Sequence, residues 1–438
     1  MIIVENFSEK YRHACFELIR AYLPDKEFSN DSVILRYDNR NSYLCLIYEE
    51  KIYNVFVKQG DEFFEIRKSL FEILKQLTKC SKKWGLLTGI RPTKLAYNLY
   101  KKHGYDCALK NLVEDRLMST EGANEILDIV ERQDELIERH KNGYSVYVHI
   151  PFCRSKCSYC SFHTYVNAYD LHEPYTKALV NEISGFKKKL REPSAIYVGG
   201  GTPTSIGLYN LSLILSAISA KFGKAQEFTV ECGRPEDLTD EMLKLLKSFG
   251  VTRISINPQT FKSESLRSLS RNHTVDDIYA AYNRARRVSF DSINMDFILG
   301  LPGEGKDTII NSLKIANQLK PDNITLHALA IKNGSKMIRQ DLEYKFDLDR
   351  LYSEIDELLG LDYKKYYLYR QKRIYQNGEN IGYALDKKMC LYNIMMIEEA
   401  QEIYAFGMGA SSRLKRNDGF ETRTNYRDID YYIKKVRK

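Results

Sequence analysis

The sequence predicts an α/β protein built around a partial (β/α)6 barrel, with a small α+β domain before it and an extension after it. Three observations carry this expectation. From Ser145 onward, apolar runs of strand length alternate with stretches of helical periodicity. Residues 1 to about 140 follow a different, meander-like rhythm. A dense cysteine cluster stands directly after the first strand of the alternating region, where barrels carry their functional loops. The expected divisions are 1–140, an accessory α+β domain; 141–335, the (β/α)6 core; and 336–438, a C-terminal region.

In the first division, "SVILRYD", "SYLCLIYEE" and "KIYNVFVKQ" alternate apolar and polar residues between polar turns, as strands of a half-buried meander do. Helical stretches follow near 61–80, 93–103 and 106–140, interrupted by "KWGLLTGIRPTK", whose Gly and Pro break the pattern. In the core, the strand-like runs are "SVYVHI", "AIYVGG", "EFTVEC", "TRISIN", "DSINMDFI" and "NITLHAL". Helices are expected at 173–190, 208–221, 239–248, 275–288 and 306–319. Parallel strands joined by right-handed crossovers curl toward a barrel. The tail opens with helical "DLDRLYSEIDELLGL" and continues through the aromatic-basic "YKKYYLYRQKRIY", "ENIGYAL" and "AFGMGASSRL". There is no internal repeat beyond the βα rhythm.

Composition narrows the function classes. Hydrophobic residues make up 43% of the 438 and charged residues 28%, the usage of a globular protein with a sizeable core. No apolar run approaches the roughly 18 residues of a membrane span, and "MIIVENFSEKYRH" lacks the layout of a secretory signal. A cytoplasmic location without membrane association is expected. The net charge of +8, from 66 Lys+Arg against 58 Asp+Glu, is mild for this length. It reads as solvated surface rather than as a nucleic-acid footprint. Nine cysteines, an odd number scattered outside the one cluster, argue against a disulfide framework.

The cluster is "YVHIPFCRSKCSYCSF": Cys153, Cys157 and Cys160, with no fourth cysteine. A structural zinc is almost always closed by four ligands. Three thiolates can instead hold three irons of a [4Fe–4S] cluster and leave the fourth open to a small chelating ligand. The alternatives are incidental cysteines, against which the three-then-two spacing after a strand argues, or a zinc borrowing His149 or His163. "YVGGGTPTS" ends the second strand with Gly199, Gly200 and Gly201, whose missing Cβ atoms let the backbone approach a ligand closely or simply make a tight turn. No Lys-Ser/Thr follows, which argues against a phosphate-binding loop. Glu231 ends the third strand, where a carboxylate can accept ribose hydroxyls.

These motifs resemble the radical S-adenosylmethionine (SAM) enzymes. The resemblance implies that SAM chelates the open iron through its amino and carboxylate groups. Reduction then frees a 5′-deoxyadenosyl radical that takes a hydrogen from the substrate. Over roughly 145–335 the chain is similar to the subgroup around oxygen-independent coproporphyrinogen III oxidase. Tyr147, six residues before Cys153, matches the family tyrosine near the sulfonium, and Tyr159 the aromatic residue near adenine. Gly200, Gly201 and Thr202 match the glycine turn, and Glu231 the ribose carboxylate. Gln259 of "NPQTF", Arg271 of "LSRNHT", Asp296 of "NMDFILGLPGE" and Ala330 of "LHALAIK" have the spacing of the family's second SAM site. Tyr147, Gln259 and Asp296 are the implied catalytic candidates.

"WGLLTGIRPTK", "ECGRPE", "ISINPQTF", "YYLYRQK" and "ENIGYA" are shared with the HemZ branch and extend the likeness to most of the chain. The implied reaction is oxidative decarboxylation of two propionates of coproporphyrinogen III to vinyls. It implies a tetrapyrrole substrate, a low-potential donor of ferredoxin or flavodoxin type and a monomeric protein. Arg91 and Arg370 are either structural ion pairs or grips on propionates. Two features differ from the oxidase. Ser161-Phe162 follows Cys160, as in the haem chaperone branch, yet the tail lacks that branch's His-Asn-x-x-Tyr-Trp type motif, the one tryptophan being Trp84. A haem-binding chaperone, or ring opening or methylation of a tetrapyrrole, is therefore the alternative expectation.

Overall fold

The computed structural model of the protein describes residues 2–23, 32–38, 40–89, 91–188, 190–330, 332, 334–337, 346–371, 378–417 and 419–436. The end of the aromatic-basic stretch, 372–375, lies outside the described residues. The chain divides into two compact units, one of Met1–Arg132 with Leu368–Glu379, the other of Gln133–Tyr367 with Asn380–Lys438.

The first unit is a four-stranded sheet of β1 (Ile2–Glu5), β2 (Val33–Asp38), β3 (Tyr43–Tyr48) and β4 (Lys51–Phe56). β2, β3 and β4 form the expected antiparallel meander, and β1 adds in parallel to β2. Alternation decides the buried face: Val33, Leu35, Leu44 and Leu46 point inward and are fully buried against Leu18 and Ile19 of helix Glu9–Tyr22 and Ile66, Leu70 and Leu74 of helix Glu62–Thr78.

The long helix expected at 106–140 is two helices, Tyr105–Glu114 and Thr120–His140. Leu117 between them adopts a left-handed φ of 53°. The main chain there bonds across to the "KWGLL" turn, Leu86 N–H to Arg116 O at 2.7 Å and Ser119 N–H to Lys83 O at 3.0 Å. A Cβ on Gly85 would lie 2.2 Å from Leu117 O, so the glycine makes this break possible. Arg370 is structural. Its guanidinium lies over the Trp84 ring at 5.0 Å, donates to Leu87 O at 2.6 Å and pairs with Glu379 at 3.7 Å, with 2% of the side chain exposed. Arg91 precedes helix Pro92–His103.

The second unit contains six parallel strands in the expected places: β5 (Tyr144–Ile150), then after the two-residue β6 (Phe152–Cys153) and β7 (Tyr165–Val166), β8 (Ala195–Gly200), β9 (Glu227–Glu231), β10 (Arg253–Ser255), β11 (Ser292–Leu299) and β12 (Asn323–Ala328). Each pairs in parallel with the next in the series, with Tyr147 beside Tyr197, Tyr197 beside Thr229, and Glu231 beside Ser255. Helices Tyr169–Ser184, Leu208–Phe222, Asp240–Ser248, Val275–Val288 and Lys306–Leu319 fill the crossovers. The first begins and ends earlier than its periodicity suggests, stopping at Gly185. The fourth is closed by a capping box between Thr274 and Asp277.

The tail builds strands on both sides of this series. β13 (Lys364–Tyr369) and β14 (Asn380–Ala384) extend it beyond β12, β14 running antiparallel. β15 (Glu402–Phe406), β16 (Ser411–Arg416) and β17 (Gly419–Thr424) extend it beyond β5, β15 running parallel. Among the described residues, no helix is long and apolar enough to cross a membrane.

A buried ion pair ties the tail to the core. Glu227, at the start of β9 and 7% exposed, accepts Leu391 N–H at 2.9 Å and Tyr392 N–H at 3.0 Å, the first turn of helix Leu391–Ile397. Arg253 bonds Glu227 at 3.2 Å and the Lys388 and Met389 carbonyls at 2.9 and 3.1 Å. Removing one partner leaves a buried charge alone. Glu227→Ala should cost about 3–5 kcal/mol, read as a lower urea midpoint; a midpoint equal to wild type would show that this pair does not hold the tail.

Candidate metal centre and cofactor pocket

The cysteines sit on the crossing between β5 and helix Tyr169–Ser184. Short parallel pairing, Phe152 with Tyr165 and Cys153 with Val166, closes the loop at its base. Buried charges and main-chain bonds hold its interior. Arg154 pairs with Asp237, whose side chain is wholly buried. Arg234 donates to Ser155 O and Oγ, both at 2.9 Å, and its Nη2 lies 3.1 Å from Cys157 Sγ. Arg271 Nη1 lies 3.7 Å from the same sulfur and donates to Tyr159 OH at 3.2 Å. Ser158 N–H bonds Leu269 O at 3.2 Å, and Lys336 N–H returns to Ser158 O at 2.9 Å.

Burial pushes the Cys153 and Cys160 thiols up, as expected for sulfurs drawn out of water. Among the described residues, no three His, Cys, Asp or Glu converge on a point that would hold a single ion. A cluster, which spreads its ligands over separate irons, needs no such convergence.

Beside the loop, the glycine turn forms a cradle. Gly201 N–H bonds Ile150 O at 2.8 Å and Thr202 N–H bonds Phe152 O at 2.7 Å, while Thr202 Oγ1 lies 3.6 Å from Cys153 Sγ. A Cβ on Gly201 would meet Phe152 O at 2.4 Å, and one on Gly200, at φ 114°, would meet His149 at 2.1 Å. These positions admit only glycine. Glu231 faces the turn, accepting Tyr197 O–H at 2.6 Å and Gly200 N–H at 3.3 Å. Burial pushes its carboxyl up to about 7, against the Tyr197 and Gly200 bonds that hold it down.

Tyr147 stacks with Tyr197 and Tyr392, and burial raises its hydroxyl well above the ordinary range. His149 Nδ1 lies 2.6 Å from the Met408 carbonyl, so Nδ1 carries the proton and Nε2 is left as acceptor. Two cavities open on this wall. One, about 450 Å³, is lined by Tyr147, His149, His163, Gly200, Glu231 and Arg427. The other, about 470 Å³, shares Tyr147, His149 and Glu231 and adds Tyr197, Tyr392 and Arg413.

The remaining site candidates separate into two places. Gln259 holds a left-handed φ of 68°, uncommon outside glycine, and is fixed by its N–H to Asp296 O at 2.9 Å and by Ile298 N–H to its own carbonyl at 3.1 Å. Its buried side-chain Oε1 has no hydrogen-bond partner among the described residues. Asp296 accepts Asn294 Nδ2 at 2.6 Å and faces His327 at 3.9 Å. Burial opposes charge on His327, but Asp296 beside it raises its pKa overall. Arg271 stands apart from this pair, spending its donors on the cysteine loop and on Gly233 O and Asn257 O, at 2.8 and 2.5 Å. Tyr159 packs on an apolar group of Leu269, Ile298, Leu301 and Leu329. Ala330 is half-buried just past β12.

Known proteins resemble this chain in sequence and in fold. A family described as "Radical SAM superfamily" matches residues 147–316. The oxygen-independent coproporphyrinogen-III oxidase-like protein HemZ of Bacillus subtilis is 35% identical over 390 residues, covering 84% of this chain and 78% of that protein. The chain belongs to the radical SAM superfamily. The heme chaperone HemW of Lactococcus lactis is 31% identical over 62% of this chain and 69% of its own. Among solved structures, coproporphyrinogen III oxidase (HemN) of Escherichia coli superposes with a TM-score of 0.56 at 22% identity, covering 69% of this chain and 71% of that one, a likeness of fold.

As a radical SAM protein the chain has a [4Fe–4S] cluster and SAM as its cofactors. Its own residues fit them: three cysteines free of disulfides on an anchored loop, a glycine turn packed directly against that loop, and a carboxylate facing the turn beside a cavity. Sequence reasoning missed Arg234, His327 and Asp237 as parts of this site. Arg234 and Asp237 lie in or beside "ECGRPE", a string noticed for its likeness and given no role.

Glu231 supplies a pH test. Its folded value, about 7 against 4.5, means the folded apo-protein binds this proton more tightly than the unfolded chain does. Stability from this group is present at low pH and lost as pH rises through that window. Glu231→Gln should therefore raise the urea midpoint of apo-protein clearly at pH 8 and little at pH 5; equal changes at both would contradict a buried, shifted carboxyl.

Proposed function

We propose that this radical SAM protein is an enzyme acting on a tetrapyrrole, decarboxylating two propionates of coproporphyrinogen III to vinyl groups. One observation carries the reading: Phe162 and His163 from the cysteine loop, Gly200 of the glycine turn and Glu231 border one cavity, which shares Tyr147, His149 and Glu231 with a second, and the chain is similar to a coproporphyrinogen-III oxidase-like protein over 84% of its length. One cavity suits the cofactor and its neighbour a substrate held against it, with the exposed Arg427 on the rim able to meet a carboxylate.

When bound, the reduced cluster and SAM supply a one-electron cleavage and a carbon centre that accepts a hydrogen atom. The chain's share is orientation and exclusion of water. Cys153, Cys157 and Cys160 hold three irons. Gly200, Gly201 and Thr202 approach the cofactor with backbone groups, Glu231 accepts its ribose hydroxyls, and Tyr147 and Tyr159 pack on its sulfonium and adenine sides. Gln259, with its orphaned Oε1, and Asp296 form a second polar station for substrate or a second SAM, with Ala330 at its margin, while Arg271 holds the cysteine loop. Each propionate gives one hydrogen atom to that carbon centre, releases carbon dioxide and passes one electron to an external one-electron acceptor to become a vinyl. A low-potential carrier of ferredoxin or flavodoxin type reduces the cluster, and the protein works as a cytoplasmic monomer. The N-terminal α+β unit is an accessory to the (β/α)6 core, and the C-terminal region supplies part of the cavity walls.

A second reading, a haem-binding chaperone, is favoured by the likeness to HemW and by Ser161-Phe162 after the last cysteine. Anaerobic incubation of reconstituted protein with reductant, SAM and coproporphyrinogen III separates the two. The enzyme reading expects a mass loss of two carbon dioxide molecules and four hydrogens per macrocycle with SAM consumed. Unchanged porphyrinogen, together with stoichiometric haem binding that needs no SAM cleavage, would overturn it.

A further inference from the structure

Two guanidiniums converge on one of the three cluster sulfurs. Arg234 Nη2 stands 3.1 Å from Cys157 Sγ and Arg271 Nη1 3.7 Å from it, with the two residues 3% and 4% exposed. The flanking cysteines are served differently: Cys153 meets the neutral Thr202 hydroxyl at 3.6 Å, and Cys160 a main-chain group of Phe162. The charges around the pair are uneven as well. Arg234 Nη1 lies 3.8 Å from Glu236, whose other oxygen is 3.0 Å from His273 Nδ1. Arg271 has no carboxylate at ion-pair distance among the described residues, its other donors going to Tyr159 and two carbonyls. The Arg234 charge reaches all three sulfurs, but buried guanidiniums come within hydrogen-bond distance of the middle one alone.

A hydrogen bond from a permanent cation withdraws electron density from a cluster sulfur, and nearby positive charge favours the more negative, reduced cluster. Outer residues of this kind tune a metal site while touching only its ligands. We propose that Arg234 is a positioning residue for the cluster: its buried guanidinium fixes the Cys157 sulfur and, with Arg271, raises the cluster's reduction potential toward the reach of a low-potential protein donor. This rests on the cluster reading. No step beyond addition of one electron to the oxidised cluster is involved. Arginine suits the task because one planar fork serves Ser155 and Cys157 together, which a lysine cannot match.

The test is a redox titration of the reconstituted cluster, followed by the electron paramagnetic resonance signal of its reduced form, in wild type, Arg234→Lys and Arg234→Met. Iron content and apo-protein circular dichroism are measured on each. Arg234→Met should load the cluster and shift its reduction equilibrium at fixed donor potential toward the oxidised form by tenfold or more, about 59 mV for one electron. Arg234→Lys, keeping the charge without the fork, should fall between. Fully loaded variants with the wild-type midpoint would overturn the proposal. So would loss of the cluster from both folded variants, which would make Arg234 a structural anchor only. A wild-type protein that takes up no cluster overturns the underlying reading instead, in an arm of the experiment distinct from the variants.

Discussion

A loop that offers three thiolates and leaves one iron open cannot rely on a fourth side chain to complete its cage. Its shape must come from the protein around it. Here that support is electrostatic and largely buried: the exposed Arg154 on the buried Asp237, and the buried Arg234 on Ser155 and Cys157 and Arg271 on Cys157 and Tyr159. Such charges are costly to take out of water and persist only where each has partners. The three basic residues pin both flanks and the centre of an eight-residue stretch that has little secondary structure of its own.

The barrel strands make this possible by delivering their C-terminal ends to one place. β5 launches the loop, β8 ends in the glycine turn, β9 ends at Glu231 and leads into Arg234, and the segment after β10 carries Gln259. A network of main-chain bonds joins these ends, from Ile150 and Phe152 to the glycine turn and from Gln259 to Asp296. The left-handed backbone at Gln259 is tolerated because both its amide and its carbonyl are tied to β11. Tyr392, held through Glu227 and Arg253, completes the aromatic wall from the tail. The tail therefore belongs to the site's construction.

Much of this was legible in the chain. The six core strands are short β-branched runs bounded by turns, a local pattern that survives folding unchanged, and the cysteine spacing is local too. What escaped depends on distant partners. The break at Leu117 follows from Gly85, 32 residues earlier, whose close approach no helical periodicity reports. β15 pairs with β5 across more than 250 residues, and "AFGMGASSRL" alone carries no sign of it. Arg234 reaches Cys157 over 77 positions, and Arg370 meets Trp84 over nearly three hundred. A buried arginine in a sequence looks like a solvated one until its partners are in view.

The central claim is that one iron is left for SAM. The most direct measurement is electron–nuclear double resonance on the anaerobically reconstituted, reduced cluster with SAM labelled by nitrogen-15 at the amino group and oxygen-17 at the carboxylate. Hyperfine coupling to both labels is the expected result. A cluster with full signal and no coupling to either would contradict the account, because its fourth iron would then be closed to the cofactor.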